Sequence, residues 1–550
     1  MTAARNPVLP GFHPDPSICR VGDEFFVVTS TFEYFPGLPV HRSRDLVEWE
    51  LVGHAVHREE QLDLSSVAAS GGLFAPTIRH HDGRFFVACT LVGGEGRQGS
   101  FVLTATDPAG PWSDPAWIDD APGIDPSILF DDDGRAWWCG TRLADPGDWP
   151  EQTEVWVREL ELATMSLVGD EHVVWHGAVE GAVWAEGPHL YRGIGDAGDD
   201  VLLLASEGGT ERHHAVSAAR GPSPIGPFTG SRANPLLTHR HLGGGVDVAN
   251  VGHADLVDDG RGGWWATALA TRRRPLRDGD GARVDALQGR ETWLVPVAFE
   301  DGWPVFAPGS GRLADEVEVP WADEPAPGAS TLVDDFDSST PHPELLQVRT
   351  APEALRARLD ARPGFLRLSA VSRGLEQPVA HAFAGFRLEQ PVATLATVVE
   401  TPDAASPGLL AGLALRLTDD RFVSLGVRSS STGSTDSADT ARTTGRVVEF
   451  VLHVDGDERA LGVVDVPAGR VGLVLEIDGF AAVARAESGE RRIPVGTVDL
   501  SPLSPSEGGG FVGVVGGVFV VGEPAADAHG AAAAAWADFD RLSLVHAPAR

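Results

Sequence analysis

Along the first 300 residues the apolar positions come in short runs of aromatic and β-branched side chains, each cut off by Gly, Asp or Pro. Apolar residues at helical spacing are scarce. Such a pattern predicts short strands joined by tight turns, and hence an all-β chain. Five stretches share one form: DPSICRVGDEFFVVTS from Asp15, APTIRHHDGRFFVACT from Ala75, DPSILFDDDGRAWWCG from Asp125, EGPHLYRGIGDAGDDVLLLAS from Glu186 and GHADLVDDGRGGWWATAL from Gly252. Each opens on a small or acidic residue, usually beside Pro or Gly. A short apolar strand follows, then an Asp/Gly turn, then an aromatic strand, which together make a β-hairpin. The hairpins recur at intervals of about 50 to 67 residues, with further strand pairs such as FVLTATDPAGPWS between them. Four strands per unit and five units predict a five-bladed β-propeller over residues 1–310.

Around 303–335 the chain turns rich in Pro, Gly, Ala and acids, and a linker is expected over 311–330. From 331 to 550 strand patterns return without the propeller repeat, at GFLRLSA, AGLALRL, RFVSLGV, RVVEFVLHV, VGLVLEIDG and GGFVGVVGGVFVVG. They predict a β-sandwich of jelly-roll type rather than more blades. The tract SSSTGSTDSADTARTTG (429–445) reads as a polar loop. HGAAAAAWADFD (529–540) reads as a short helix or a loop leading into the last strand.

Charge narrows the partners. The chain carries 43 basic residues, all of them Arg, against 79 acidic ones, a net charge of -36. Nothing offsets phosphate repulsion, so neither nucleic acid nor an anionic membrane surface is an expected partner. No apolar run approaches the roughly 20 residues that span a bilayer. MTAARNPVLPGF has no apolar signal core, which sets the expectation of a cytoplasmic protein. Cys19, Cys89 and Cys139 form no CxxC pair and lie in apolar runs, as buried reduced thiols do. No ligand spacing supports zinc. The oligomeric state stays open, a homo-oligomer included.

The repeat register points to the chemistry. The first strand of each blade lines the central channel, so the opening residues of the repeats converge at one end of it. In three units that residue is acidic: Asp15, Asp125 and Glu186. Crowded carboxylates titrate apart, one keeping its proton as a general acid while another stays ionised to activate water, as glycoside hydrolysis requires. Asp131, Asp132 and Asp133 sit in a hairpin turn and are read as turn residues. His253 opens the fifth unit in place of an acid and should face the channel axis, where it could hold a water or a metal. His80–His81 and His213–His214 lack the spacing of a metal site. Phe32 and Phe74, near repeat ends, could stack on a sugar ring or simply pack in the core. Arg290, in QGRETW, could bind sugar hydroxyls, tune a carboxylate or form a surface ion pair. Gly94, Gly96 and Gly99 have dinucleotide-loop spacing but are followed by a strand, so that mechanism fails. A non-catalytic carbohydrate-binding propeller would be marked by loss of one of the three acids, and all three are present.

NPVLPGFHPDPS, STFEYFPGLPVHRSRDLVEWELVGH, GIDPSILFDDDG, EGPHLY, NVGHADLV and QGRETW resemble family 43 glycoside hydrolases, in order and at family-like spacing. The resemblance is to the β-xylosidase and α-L-arabinofuranosidase members with a C-terminal β-sandwich. It implies a five-bladed propeller and an inverting, exo-acting enzyme that releases xylose from the non-reducing end of β-1,4-xylo-oligosaccharides. An α-L-arabinofuranosidase, or an enzyme acting on both, is the alternative. By the resemblance Asp15 is the general base, Asp125 tunes and orients, and Glu186 is the general acid. Phe32 and Arg290 match substrate-pocket positions, and His253 matches a channel histidine near a bound water or calcium ion. No cofactor is required on this view, and calcium is the one metal it admits. Inversion implies a base–acid carboxyl separation of about 6.5–9.5 Å. The chain departs from the compared xylosidases in having Phe74-Ala75-Pro76-Thr77 where they have Trp-Ala-Pro-Asp, and in WWCGTRLADPGDWP. GGGFVGVV resembles a loop that closes the pocket in relatives, shortened here, with Phe511 as a candidate wall.

Overall fold

The computed structural model describes residues 2–547 apart from 196–197, 277–281, 323–329, 351–356, 373, 403–407, 431–444, 523–524, 527–531 and 534. Five antiparallel sheets form the first 306 residues, each built on one repeat. Their first strands are Ser17–Val21, Thr77–His81, Ile124–Phe130, Glu186–Arg192 and Val248–Asp258. Each first strand packs against those of its two neighbours, the fifth against the first, which closes a five-bladed propeller around a channel. Blade 2 carries an extra short strand, Gly72–Leu73, paired to the far end of Arg84–Val92.

The stretch expected as a linker is partly structured. Glu316–Val319 pairs antiparallel with Thr2–Arg5, and Asn6 bonds to the backbone of Leu294 in blade 5. Alternation in EVEV, two residues buried and two exposed, was masked by its Pro- and acid-rich surroundings.

The C-terminal region is a β-sandwich. One sheet runs, in spatial order, Thr331–Asp334, Trp536–His546, Val392–Glu400, Val471–Asp478, Ala481–Ser488 and Arg491–Asp499. The second contains Asp457–Val466, Gly445–Val454, Arg421–Ser430, Leu410–Arg416, Val515–Val521, Ala382–Arg387 and Leu346–Val348, and ends on Tyr34–Phe35 of the propeller. Val392–Glu400 alternates buried and partly exposed positions, as a strand with one covered face must. Ala382–Arg387 is buried at every position, because its sheet lies between the other sheet and the propeller. One hydrophobic core joins Phe12, Phe32, Tyr34 and Leu287 of the propeller to Leu346, Phe383, Phe386 and Leu413 of the sandwich. Most of the 429–445 tract lies outside the described residues; Trp536–His546 is a strand from its first residue.

Candidate active site

In blades 3, 4 and 5 a β-bulge interrupts the ladder at the opening residues of the repeat, and this aims their side chains. In blade 3 the register jumps between Ile124↔Thr141 and Ser127↔Cys139, so Asp125 and Pro126 face one partner residue. Blade 4 jumps between Glu186 and His189, and blade 5 between Ala249 and Gly252 and again between Gly252 and Asp255. The extra residue adopts a left-handed backbone: Asp125 has φ 55, Gly187 φ 55 and His253 φ 46; Asp15, just ahead of the blade 1 ladder, has φ 54. Side chains that would follow the pleat are thereby turned toward the channel mouth. Non-glycine residues pay about 1–3 kcal/mol each for such a conformation, and strain of this kind gathers at functional sites. At position 187 only glycine fits, since a Cβ would sit 2.9 Å from the His253 ring.

Asp15, Asp125, Glu186 and His253 meet in one cavity of about 410 Å³, together with Phe32, Phe74 and Arg290. That is toward the small end of small-ligand pockets, about 300–1,000 Å³. Phe511, the candidate wall in GGGFVGVV, forms that wall. Its ring lies 5.6 Å from Phe32 and 5.9 Å from Phe74, centroid to centroid, and Phe32 and Phe74 are 5.5 Å apart. Trp184, Glu151 and Thr210 also line the cavity. Trp184 and Glu151 went unremarked among ordinary loop residues, and Thr210 had only the preceding Gly208-Gly209 as a signal.

Asp15 is buried and both its oxygens are held. Oδ1 accepts from Arg290 Nη1 at 3.0 Å and Oδ2 from Ser30 Oγ at 2.6 Å. His253 Nδ1 stands 3.7 Å from Oδ1. Burial alone would lift the Asp15 pKa, but Arg290, His253 and the Ser30 hydrogen bond outweigh it and hold the carboxyl below its usual range. Asp125 goes the other way. Burial, with Asp15's charge adding to it, lifts it to about 6, although Gly187 N–H donates to it at 3.1 Å. Glu186 is lifted well above the usual carboxylate range, by burial first and then by the charges of Asp125 and Asp15. Arg290 is anchored in turn: Nη1 also donates to Thr210 Oγ1 at 2.8 Å, and Nη2 to the Phe511 carbonyl at 3.2 Å. His253 is fixed by its backbone N–H, which donates to Ser206 Oγ at 2.6 Å. Among the described residues no three His, Cys, Asp or Glu side chains converge as a metal site. Both Asp15 oxygens beside His253 are taken by Arg290 and Ser30, so the described residues there do not offer the set of free oxygen ligands that calcium takes. Asp131 sits in its turn, bonded to Arg192. The three cysteines are buried and unpaired, and no described helix is long and apolar enough to cross a membrane.

Carboxylates at one channel mouth, sorted into an ionised and a protonated member beside an aromatic wall, are the working parts of a glycoside hydrolase. The profile of glycosyl hydrolases family 43 matches residues 4–304, and that of the β-xylosidase C-terminal concanavalin A-like domain matches residues 333–544. The chain is 38% identical to a xylosidase/arabinosidase of Butyrivibrio fibrisolvens over 534 residues, 94% of this chain and 96% of the relative. It is 39% identical to a non-reducing end α-L-arabinofuranosidase of Bacteroides ovatus over 397 residues, covering 70% of this chain and 68% of that one. A crystal structure of a xylan β-1,4-xylosidase from Bacillus halodurans superposes with a TM-score of 0.86 at 30% identity, covering 99% of this chain and 100% of that one. This chain belongs to glycoside hydrolase family 43. It is an exo-acting glycoside hydrolase of the xylosidase/arabinosidase type.

Proposed function

We propose that the protein is an inverting β-xylosidase that removes xylose from the non-reducing end of β-1,4-xylo-oligosaccharides. The observation that carries this reading is the opposite displacement of two carboxyls in one cavity. Asp15, held by Arg290 and Ser30, is ionised and takes a proton from water as that water attacks the anomeric carbon. Glu186, kept protonated by burial and by Asp125, gives its proton to the departing glycosidic oxygen. Asp125 does not transfer the proton in this scheme; its charge adds to burial in raising the acid's pKa. The phenylalanine wall packs on the sugar face, and Arg290 and Thr210 are placed for its hydroxyls.

The second reading is α-L-arabinofuranosidase activity, alone or beside the first. It is favoured by Phe74, where the compared xylosidases have Trp, and by the name of the Bacteroides ovatus relative. Proton NMR of the product first released from xylobiose decides. Initial α-xylose supports β-xylosidase action with inversion; initial β-xylose removes the water-activating role from Asp15. No release from xylobiose, with turnover of an aryl arabinofuranoside, selects the second reading.

A further inference from the structure

Glu33 is fully buried at the seam between propeller and sandwich, and it is the propeller's only charge in a four-member ion cluster there. Its Oε1 accepts from Arg416 Nη1 at 3.3 Å. Arg416 also donates to Tyr34 Oη at 2.8 Å and to Asp419 at 2.7 Å. Arg349 donates to both oxygens of Asp419, at 3.1 and 2.7 Å, and its backbone N–H donates to the Glu33 carbonyl at 2.7 Å. Two guanidiniums and two carboxylates taken out of water are weak grounds for stability, because desolvation consumes most of their attraction. What such a cluster does well is fix one register against others.

The register it fixes leads to the site. Glu33 Oε2 accepts from the Ser70 N–H at 2.9 Å, and Ser70 Oγ accepts from the Phe511 N–H at 2.9 Å. A Cβ on Gly510 would lie 2.6 Å from Ser70 Oγ, so the loop comes this close only as glycine. The Phe511 carbonyl accepts from Arg290, and Arg290 donates to Asp15. Glu33 also directly follows Phe32, whose N–H and C=O both pair with Leu73 at 3.0 Å. We infer that Glu33 is a positioning residue: through Ser70 and Phe511 it seats Arg290 on Asp15, so that docking of the sandwich sets the state of the base. The inference rests on the reading of Asp15 as base for its kinetic consequence only. Besides Arg290, the charged and titratable groups around Asp15 are His253, His214, Asp125, Glu186 and the Cys89 thiol, and none of them belongs to the chain of contacts from Glu33.

Ser70→Ala removes one hydrogen bond and leaves the ion cluster whole; Glu33→Gln keeps the shape and removes the charge. In the full chain, hydrogen exchange of the 506–514 segment should rise about tenfold or more in both. Carboxyl titration of Asp15, followed by 13C NMR, should move up by about one pH unit. The acid limb of kcat/KM should move up with it, and KM should rise more than kcat falls. Asp538→Asn breaks a buried ion cluster with Arg362 and Arg367 elsewhere in the sandwich; it should lower stability and move none of these. The inference is overturned if Ser70→Ala leaves exchange and Asp15 titration at wild-type values, or if exchange rises while Asp15 titrates unchanged. Failure of the proposed function looks different: the wild type turns over neither aryl pentoside, and the exchange and titration experiments still decide.

Discussion

At the scale of single residues, the site works by pulling like groups apart. Asp15, Asp125 and Glu186 have nearly the same intrinsic acidity, and their neighbours divide them. Glu186→Gln should cut kcat on unactivated xylobiose by about 10²–10⁴-fold, the range for loss of a general acid. The loss should be far smaller on an aryl glycoside whose leaving group needs no proton; comparing the two substrates checks the role. Asp125→Asn tests the electrostatics. Burial is the larger cause of the raised Glu186 pKa, and Asp125's charge is the next. Asp125 is pushed up to about 6 by burial, so its charge develops as the pH rises past that point. Removing its charge lowers the Glu186 pKa, the acid loses its proton sooner, and the alkaline limb of kcat/KM moves to lower pH. An alkaline limb that stays put or moves up would contradict this. That the three acids meet in one cavity was legible in the sequence because each opens a repeat. Ser30 and Thr210, which hold Asp15 and Arg290, were not, because a hydroxyl at a strand end or after two glycines has no pattern of its own.

At the scale of elements, the bulge explains why the repeat reads as it does. Asp-Pro-Ser, Glu-Gly-Pro and Gly-His-Ala are three sequences for the same break in a ladder. Past the break the first strands hold one another through Asp255. Its buried carboxylate accepts from Ser17 Oγ at 2.6 Å, Ile18 N–H at 3.0 Å, Arg79 at 2.8 and 3.1 Å, and the Tyr191 hydroxyl, joining blades 1, 2, 4 and 5. Burial opposes its ionisation, but Arg79, His189 and these hydrogen bonds overcome it and depress its pKa. The stability it lends is therefore present above its unfolded pKa of about 3.9 and lost as pH falls below that. Asp255→Asn leaves Arg79 buried without its counter-charge and should cost about 3–5 kcal/mol in urea unfolding at pH 7. The deficit should shrink between pH 4 and pH 2. The glycine-rich stretch before the last sandwich strands reads as strand by pattern and as a pocket-closing loop only by resemblance; the strand starts at Val515. A Cβ on Gly513 would sit 2.3 Å from the Gln288 carbonyl, so this run of glycines lets the loop lie on the Arg290 strand. Gly513→Ala should displace Phe511 and lower kcat/KM about tenfold with the fold retained, read by steady-state kinetics beside circular dichroism.

At the scale of the whole molecule, the sequence divides into two patterns, but the folded chain does not behave as two separable bodies. Pattern-reading tells the two halves apart because blade hairpins and sandwich strands differ locally. It misses the join, because Glu33 and Arg416 meet across 383 residues and no local signal spans that distance. Interfaces between domains of one chain are often small and polar, and then the domains melt apart. Here a strand of the propeller extends a sandwich sheet at Tyr34–Phe35↔Gln347–Val348, and one apolar core passes through the seam. Unfolding the sandwich alone would bare Phe12, Tyr34 and Leu287 and strand Glu33 without its guanidinium. Such an intermediate is too costly to populate. Calorimetry should therefore show one cooperative transition for the whole chain, with calorimetric and van't Hoff enthalpies in agreement. Activity should vanish within that transition. Two resolved transitions, or activity lost well below a single one, would mean that the seam opens first. Phe511 would then leave the pocket while the propeller still stood.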